Sequence, residues 1–292
     1  KLPGFTLIAV LTLALGIGAN TAIFSLVNTI LLRPLPVAQP AQIVSVNLAG
    51  GNGDIAAFSY PTYRDFRERN TVLTGLSAHR FAPVSLSRGA GSDARNERIW
   101  GYLVTGNYFD LLGVKPMLGR TFTAEEDNAP NAHPVAVLSQ ACWRARFGGE
   151  ANIVGQTITL NGRAFTVVGV LPDSFSGTEL IFKPELYVPS QMQDWIEPSH
   201  PSSLTNRGNG QWFAVGRLKP DVTALQAQAA LNATMAQLGR EYPHELGGTT
   251  VSLTPPGLVI PQLRGAVLGF SAVLLAAVAL VLLLACANLA GL

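Results

Sequence analysis

Charge is missing from two long stretches of this chain and present throughout the segment between them. No Asp, Glu, Lys or Arg occurs from Pro3 to Leu32, or from Gly265 to Leu292. A helix needs about 20 apolar residues to cross roughly 30 Å of hydrocarbon, so each stretch predicts a membrane-spanning helix. The first breaks at the small residues "GIGA" and then resumes as "AIFSLVNTILL". A cleaved leader, with an apolar core of about 7–15 residues, would not resume. The division that follows is a first transmembrane helix over residues 1–34, a core domain over 35–262, and a truncated second helix over 263–292. The chain opens on Lys1 and stops inside an apolar run, so it reads as a piece of a longer protein.

Between the apolar stretches the pattern alternates between β-rich runs and helical spacing. "QIVSVNL" (Gln42–Leu48) predicts a strand. "SYPTYRDFRERN" (Ser59–Asn70) predicts a helix with a Ser59 or Tyr60 cap and Pro61 in its first turn. Strands are expected near Pro83–Ser87 and Arg98–Val104, then a short helix in "GNYFDLLGV" stopped by Gly113. Thr123 and Glu126 have capping-box spacing. "PVAVLSQACWRARFGG" predicts a buried strand, then a helix capped by Ser139 and ended at Gly148 or Gly149. In "QTITLNGRAFTVVGVLP" two β-rich runs flank Asn161-Gly162, the favoured two-residue hairpin turn. A strand in Gly210–Pro220 then leads into a long helix. Thr223 and Gln226 box its start, and Leu231, Met235, Leu238 and Tyr242 share one face. "TTVSLTP" returns as a strand. Gly210–Pro255 is therefore a βαβ unit like Gln42–Val104, with Gly106–Asn209 set between them as a loop-rich insertion. The fold class is α+β.

The first apolar stretch is more polar than an anchor requires. Thr21, Ser25 and Asn28 fall on one helical face, and Ala14, Gly18 and Ala22 recur every four residues, with Asn20 nearby. Small residues let membrane helices approach closely, and polar ones bond across the contact. These seven residues are the candidate helix-packing seam. The plainer alternative is that Ser and Thr bond their own helix carbonyls. An Asn amide needs partners inside a bilayer. The second stretch ends similarly in "ACANLAGL".

Charge and chemistry mainly exclude. Of the 20 basic residues 19 lie between Arg33 and Arg264, with all 18 acidic ones. That balance offers no footprint for nucleic acid. None of Lys1, Lys115, Lys183 and Lys219 follows a glycine, so no phosphate-binding loop is present. His79, His133, His200 and His244 are scattered, and Cys142 and Cys286 imply no disulfide framework. No serine sits in a nucleophile elbow. Glu125, Glu126 and Asp127 read as helix-start carboxylates. Trp100, Trp143, Trp195 and Trp212 read as core or partner-contact residues. No catalytic, cofactor-binding or metal-ligating residue is assigned.

Five segments in this order carry a resemblance: "LALGIGANTAIFSLVNTILLRPLP", "SYPTYRDFRERNTVLTGLSA", "VTGNYFDLLGVKPMLGRTFTAEED", "VAVLSQACWRARFGGEANIVGQTITLNGRAFTVVGVLPDSF" and "LLLACANLAGL". Together they resemble the MacB/FtsX-like permeases of ABC transporters, of the duplicated type, over almost the whole chain. The resemblance implies a multi-pass protein of the bacterial inner membrane. Its periplasmic core domain would have a porter-like βαβ part and an inserted β-rich lobe. It implies no cofactor in this chain and ATP on a separate ATPase subunit. The implied partners are that ATPase, a second permease module (a homodimer mate or a duplicated half), a periplasmic adaptor and membrane lipid. The implied mechanism is mechanotransmission, with Arg33-Pro34 and Pro261–Arg264 as moving links and Pro34, Pro36 and Pro40 stiffening the first. The competing readings are a tethered sensor or activator that binds a protein partner, and a tethered extracytoplasmic enzyme.

Overall fold

A computed structural model describes residues 35–50, 55–88, 95–179, 183–199 and 203–257. In the two apolar stretches it describes residues 14, 17, 18, 21, 269, 270, 272–280, 283, 286 and 287, all helical. Most of the two expected membrane spans thus lies outside the described residues, among which no helix is long and apolar enough to cross a membrane. The chain divides into two compact units: Leu35–Gly257, and Lys1–Pro34 with Leu258–Leu292.

The unit Leu35–Gly257 contains, in chain order, β1 Ile43–Ala49, β2 Ile55–Ala56, α1 Tyr60–Arg69, β3 Leu73–Arg88, β4 Arg95–Val104, α2 Tyr108–Leu112 and β5 Leu118–Gly119. It continues with β6 Val135–Leu138, α3 Gln140–Phe147, β7 Thr157–Leu160, β8 Arg163–Val170, β9 Leu186–Pro189 and α4 Gln193–Ile196. It closes with β10 Phe213–Leu218, α5 Ala224–Glu241, α6 Pro243–Leu246 and β11 Thr250–Thr254. Among the described residues these strands form one mixed sheet, ordered β11-β1-β10-β3-β4-β9-β6-β8-β5, with β2 on β1 and β7 bridging β3 and β8.

The two expected βαβ units interlock. β10 lies between β1 and β3, and β1 lies between β10 and β11, with every one of these contacts antiparallel. Each unit's two strands are therefore parallel but separated by a strand of the other, which is the split βαβ or ferredoxin-like arrangement. Such a pair cannot be completed until both halves are present, although about 110 residues separate them in sequence.

Local chemistry sets most element ends. The Ser59 and Ser139 hydroxyls accept from Thr62 N and Cys142 N and start α1 and α3. Thr223 and Gln226 complete a capping box on α5. Gly113 and Gly148 end α2 and α3 in the left-handed region. Asn161 (φ 49°) and Gly162 (φ 76°) join β7 to β8 through the mirror-image turn that suits a hairpin's twist.

Two expectations are corrected. β3 runs from Leu73, ten residues before the strand expected near Pro83. Its first half pairs with β10 and its second with β4, so one strand spans both parts of the sheet. Thr123 and Glu126 do not make a full capping box. Ala124 caps a single 3-10 turn, Glu125–Asp127, without a side-chain bond. The Glu126 carboxylate accepts from Thr123 N at 2.9 Å but is held mainly by Arg120, at 2.7 and 2.8 Å.

The sheet is covered on both faces. On one face α1 and α5 bury Tyr63, Phe66, Leu231, Met235 and Leu238 against Val44, Val46, Leu76 and Ala214. On the other, α2 packs Tyr108, Phe109 and Leu112 among Tyr102, Phe175, Tyr187 and Val215. Several aromatic rings there meet edge to face, such as Phe109 on Tyr187 at 5.2 Å and Phe81 on Tyr102 at 5.0 Å.

Candidate functional site

Three of the seven seam residues are described. Ala14, Gly18 and Thr21 are helical and exposed. The Thr21 hydroxyl donates to Ile17 O, one turn back, at 2.8 Å. Among the described residues nothing lies within 4 Å of a Cβ placed on Gly18. Asn20, Ala22, Ser25 and Asn28 lie outside the described residues.

The domain is held at both of its ends, and the short helix α2 is close to both attachments. The leading segment from Leu35 turns at Gln39 (φ 49°) into the 3-10 turn Pro40–Gln42 and so into β1. Ala38 N donates to Leu112 O, one of the last carbonyls of α2, at 3.0 Å. Val37 packs on the aromatic core beside it. Arg217, on β10, closes the contact. Its Nε and Nη2 donate to Leu111 O at 3.0 and 2.8 Å, and Nη2 also donates to Ala38 O at 2.8 Å. Nη1 lies 3.4 Å from the side-chain oxygens of Gln39 and Gln42. A cation on the carbonyl end of a helix is favoured by the unpaired oxygens and by the helix dipole. Burial pulls the Arg217 pKa down.

At the trailing end Gly257 makes a parallel bridge with Glu179, and Asn47 Nδ2 donates to Thr254 Oγ1 at 3.0 Å. Glu179 is nearly buried, with Oε1 3.1 Å from His79 Nε2 on β3. The Thr178 hydroxyl lies 3.3 Å from the same nitrogen and 3.1 Å from Tyr108 Oη, in the first residue of α2. His79 also stacks on Tyr102 at 5.3 Å. Thus Leu112 receives the leading segment directly, Leu111 meets it through Arg217, and Tyr108 reaches the residue next to the trailing bridge. Sequence reasoning singled out Gly113 as a helix stop and missed Arg217, which sits in a run where nothing but its charge is unusual. It also set His79 aside with the scattered histidines.

A separate polar cleft of about 460 Å³ lies beside α1, lined by residues including Tyr60, Arg67, Asn107, Asp127 and Gln191. Its floor is a bonded network. Gln191 Nε2 donates to Tyr60 Oη at 2.8 Å, Tyr60 Oη lies 3.1 Å from Ser190 Oγ, and Asp127 accepts from Ser190 Oγ at 2.5 Å and from Gly106 N at 3.0 Å. Burial pushes both the Asp127 carboxyl and the Tyr60 phenol up. Asp127 thus ties the 3-10 turn to the residues after β4 and β9, and Glu126 ties it to Arg120. Two of the three acidic residues, Glu126 and Asp127, thus serve the fold through specific bonds. Trp212 is fully buried, Trp143 nearly so, and Trp100 is 44% exposed. Burial pushes the Cys142 thiol up to about 12. Among the described residues no three His, Cys, Asp or Glu side chains gather as a metal site would require.

A mixed α/β domain built on a split βαβ sheet, with both of its terminal segments bonded into it, is the class of protein the fold defines. The sequence profile of the MacB-like periplasmic core domain family matches residues 6–234, and the chain belongs to that family. The macrolide export ATP-binding/permease protein MacB of Aggregatibacter actinomycetemcomitans is 29% identical over 151 residues, 47% of this chain and 23% of the relative. Its counterpart in Chlorobium luteolum is 26% identical over 127 residues, 42% of this chain and 18% of the relative. The matches span about a quarter or less of these curated relatives. The fold is similar to that of a permease domain from Porphyromonas gingivalis, with TM-score 0.56 and 18% identity over 79% of this chain and 98% of that one. It is also similar to the periplasmic region of MacB from Actinobacillus actinomycetemcomitans, with TM-score 0.53 and 16% identity over 79% and 92% of the two chains.

Proposed function

We propose that this chain is part of the permease subunit of a MacB-like ABC transporter. It works in the bacterial inner membrane as a multi-pass protein with residues 35–262 in the periplasm. A separate ATPase subunit binds and hydrolyses ATP in the cytoplasm, and the permease passes the resulting movement to its periplasmic domain to drive export. A second permease module and a periplasmic adaptor complete the assembly. The observation that carries this reading is membership of the MacB-like periplasmic core domain family. The anchoring of both domain ends supports the relay in particular, because a force applied to residues 35–38 meets hydrogen bonds and packing instead of a free linker.

The test is biochemical. The full-length protein, purified in lipid nanodiscs, is expected to co-purify with an ATPase subunit and to change its rate of ATP hydrolysis. A full-length protein that co-purifies with no ATPase, leaves hydrolysis by an added ATPase unchanged and captures a soluble periplasmic protein would replace this reading with the tethered sensor.

A further inference from the structure

We infer that Arg217 and the C-terminal end of α2 form the joint through which movement of the first apolar segment enters the domain. The inference rests on the relay reading above and adds the residues that carry it. Four observations converge. The leading segment touches the domain by a main-chain bond, Ala38 N to Leu112 O. Arg217 then bonds the carbonyls on both sides of that contact, Ala38 O and Leu111 O, with one guanidinium. Its partners are carbonyl oxygens and two glutamine side chains, none of them a carboxylate. A planar fork of five donors suits several carbonyls at once, where an ammonium would engage them less completely. Gly113 leaves room for the approach, because a Cβ there would lie 2.5 Å from Ala38 Cβ.

The joint is backed by the sheet. Arg217 stands on β10 between β1 and β3, opposite Ile43 and Gly75 in register. A push on residues 35–38 is therefore received by the central strands and by α2 together. Through Tyr108 and Thr178 it reaches the His79–Glu179 pair, beside the trailing bridge at Gly257. Arg217 is a positioning residue in this scheme: it holds the leading segment in place and contacts no substrate.

The test uses the full-length protein in nanodiscs with its ATPase. Hydrogen–deuterium exchange is measured without nucleotide over residues 35–42 and 108–114, and ATP-driven turnover is measured separately. Loss of hydrogen bonds to a charged group should speed exchange of the Ala38 and Val114 regions about tenfold in Arg217→Gln, with less change in Arg217→Lys. Core amides of β1 and β10 should be unaffected, and turnover should fall severalfold. A covalent link should then rescue. In a Cys286→Ser background, Gln39→Cys with Arg217→Cys, bridged by a short bis-maleimide, should recover both slow exchange and turnover. Unchanged exchange in Arg217→Gln overturns the joint. So does full turnover despite an undocked segment, or a bridged variant that redocks without recovering turnover. Wild-type protein with no ATP-linked turnover would overturn the transporter reading and the relay with it, a result distinct from undocking.

Discussion

Gly113 holds φ at 69°, and its missing side chain is also what lets Ala38 come close. Gly113→Ala meets both penalties, an unfavourable left-handed backbone and a 2.5 Å contact. It is expected to destabilise the chain by about 1–3 kcal/mol, read as a lowered thermal midpoint. Neighbouring carboxyls at Glu126 and Asp127 should respond to pH with opposite signs. At Glu126 burial acts to raise the pKa, but the Arg120 and Thr123 bonds outweigh it and leave it below the usual range. The stability it adds is full above the ordinary carboxylate value and is lost as pH falls through its own lowered value. At Asp127 burial prevails over the Ser190 and Gly106 bonds and leaves the pKa raised. Its contribution is full below the ordinary value and is lost as pH rises through the raised one. Thermal midpoints measured against pH should therefore lose their acid-side fall in Glu126→Gln. In Asp127→Asn they should lose a decline on the higher-pH side. At this scale the sequence marks Gly113 as a turn residue. It cannot show that Arg120 pairs with Glu126, because a six-residue separation in an irregular segment has no fixed geometry.

The β7–β8 hairpin was legible because Asn-Gly specifies its turn locally. Its position was not. Asn161 Oδ1 accepts from Ser85 N and Nδ2 donates to Ile196 O, both at 2.7 Å, so one side chain holds β3 and α4 together. Asn161→Gly keeps a residue suited to the turn and removes both bonds. A loss of about 1–3 kcal/mol is expected, measured by denaturant unfolding. The first half of β3 was illegible for a different reason. Its Leu76, Ala78 and Ala82 face one core while Ser77 and His79 face the other, all fully or almost fully buried. The alternation of Leu76 to His79 breaks at Arg80, which is buried on the face of Ala78 and Ala82 and paired with Glu197, so only four residues carry the pattern that signals a strand. α5 shows the converse. It has one buried stripe, Leu231, Met235 and Leu238, and a capping box, so its period and its start could both be read.

At the scale of the whole molecule, the seam expected in the first apolar segment is a proposal about assembly. Gly18→Leu adds bulk where nothing among the described residues stands within 4 Å. It should leave the isolated chain's thermal midpoint unchanged and lower ATP-linked turnover when the segment packs on a partner helix. Unaltered turnover in nanodiscs would remove the seam from the mechanism. The family assignment was legible from five ordered segments spread over the chain, and the family profile match shows it.

The sequence by itself determined what depends on neighbours along the chain: two uncharged stretches, the caps at Ser59, Ser139 and Thr223, the Asn161-Gly162 turn, and two βαβ patterns. These follow from periodicity and from the backbone preferences of single residues. Only the tertiary structure decided that the two βαβ units interlock, that β3 spans both parts of the sheet, and that Arg217 joins Ala38 to Leu111. The pairings of β10 with β1 and β3, and the Arg217 bonds, link residues more than a hundred positions apart. Which distant strands meet is set by how several buried faces can be covered at once, and no single segment carries that information.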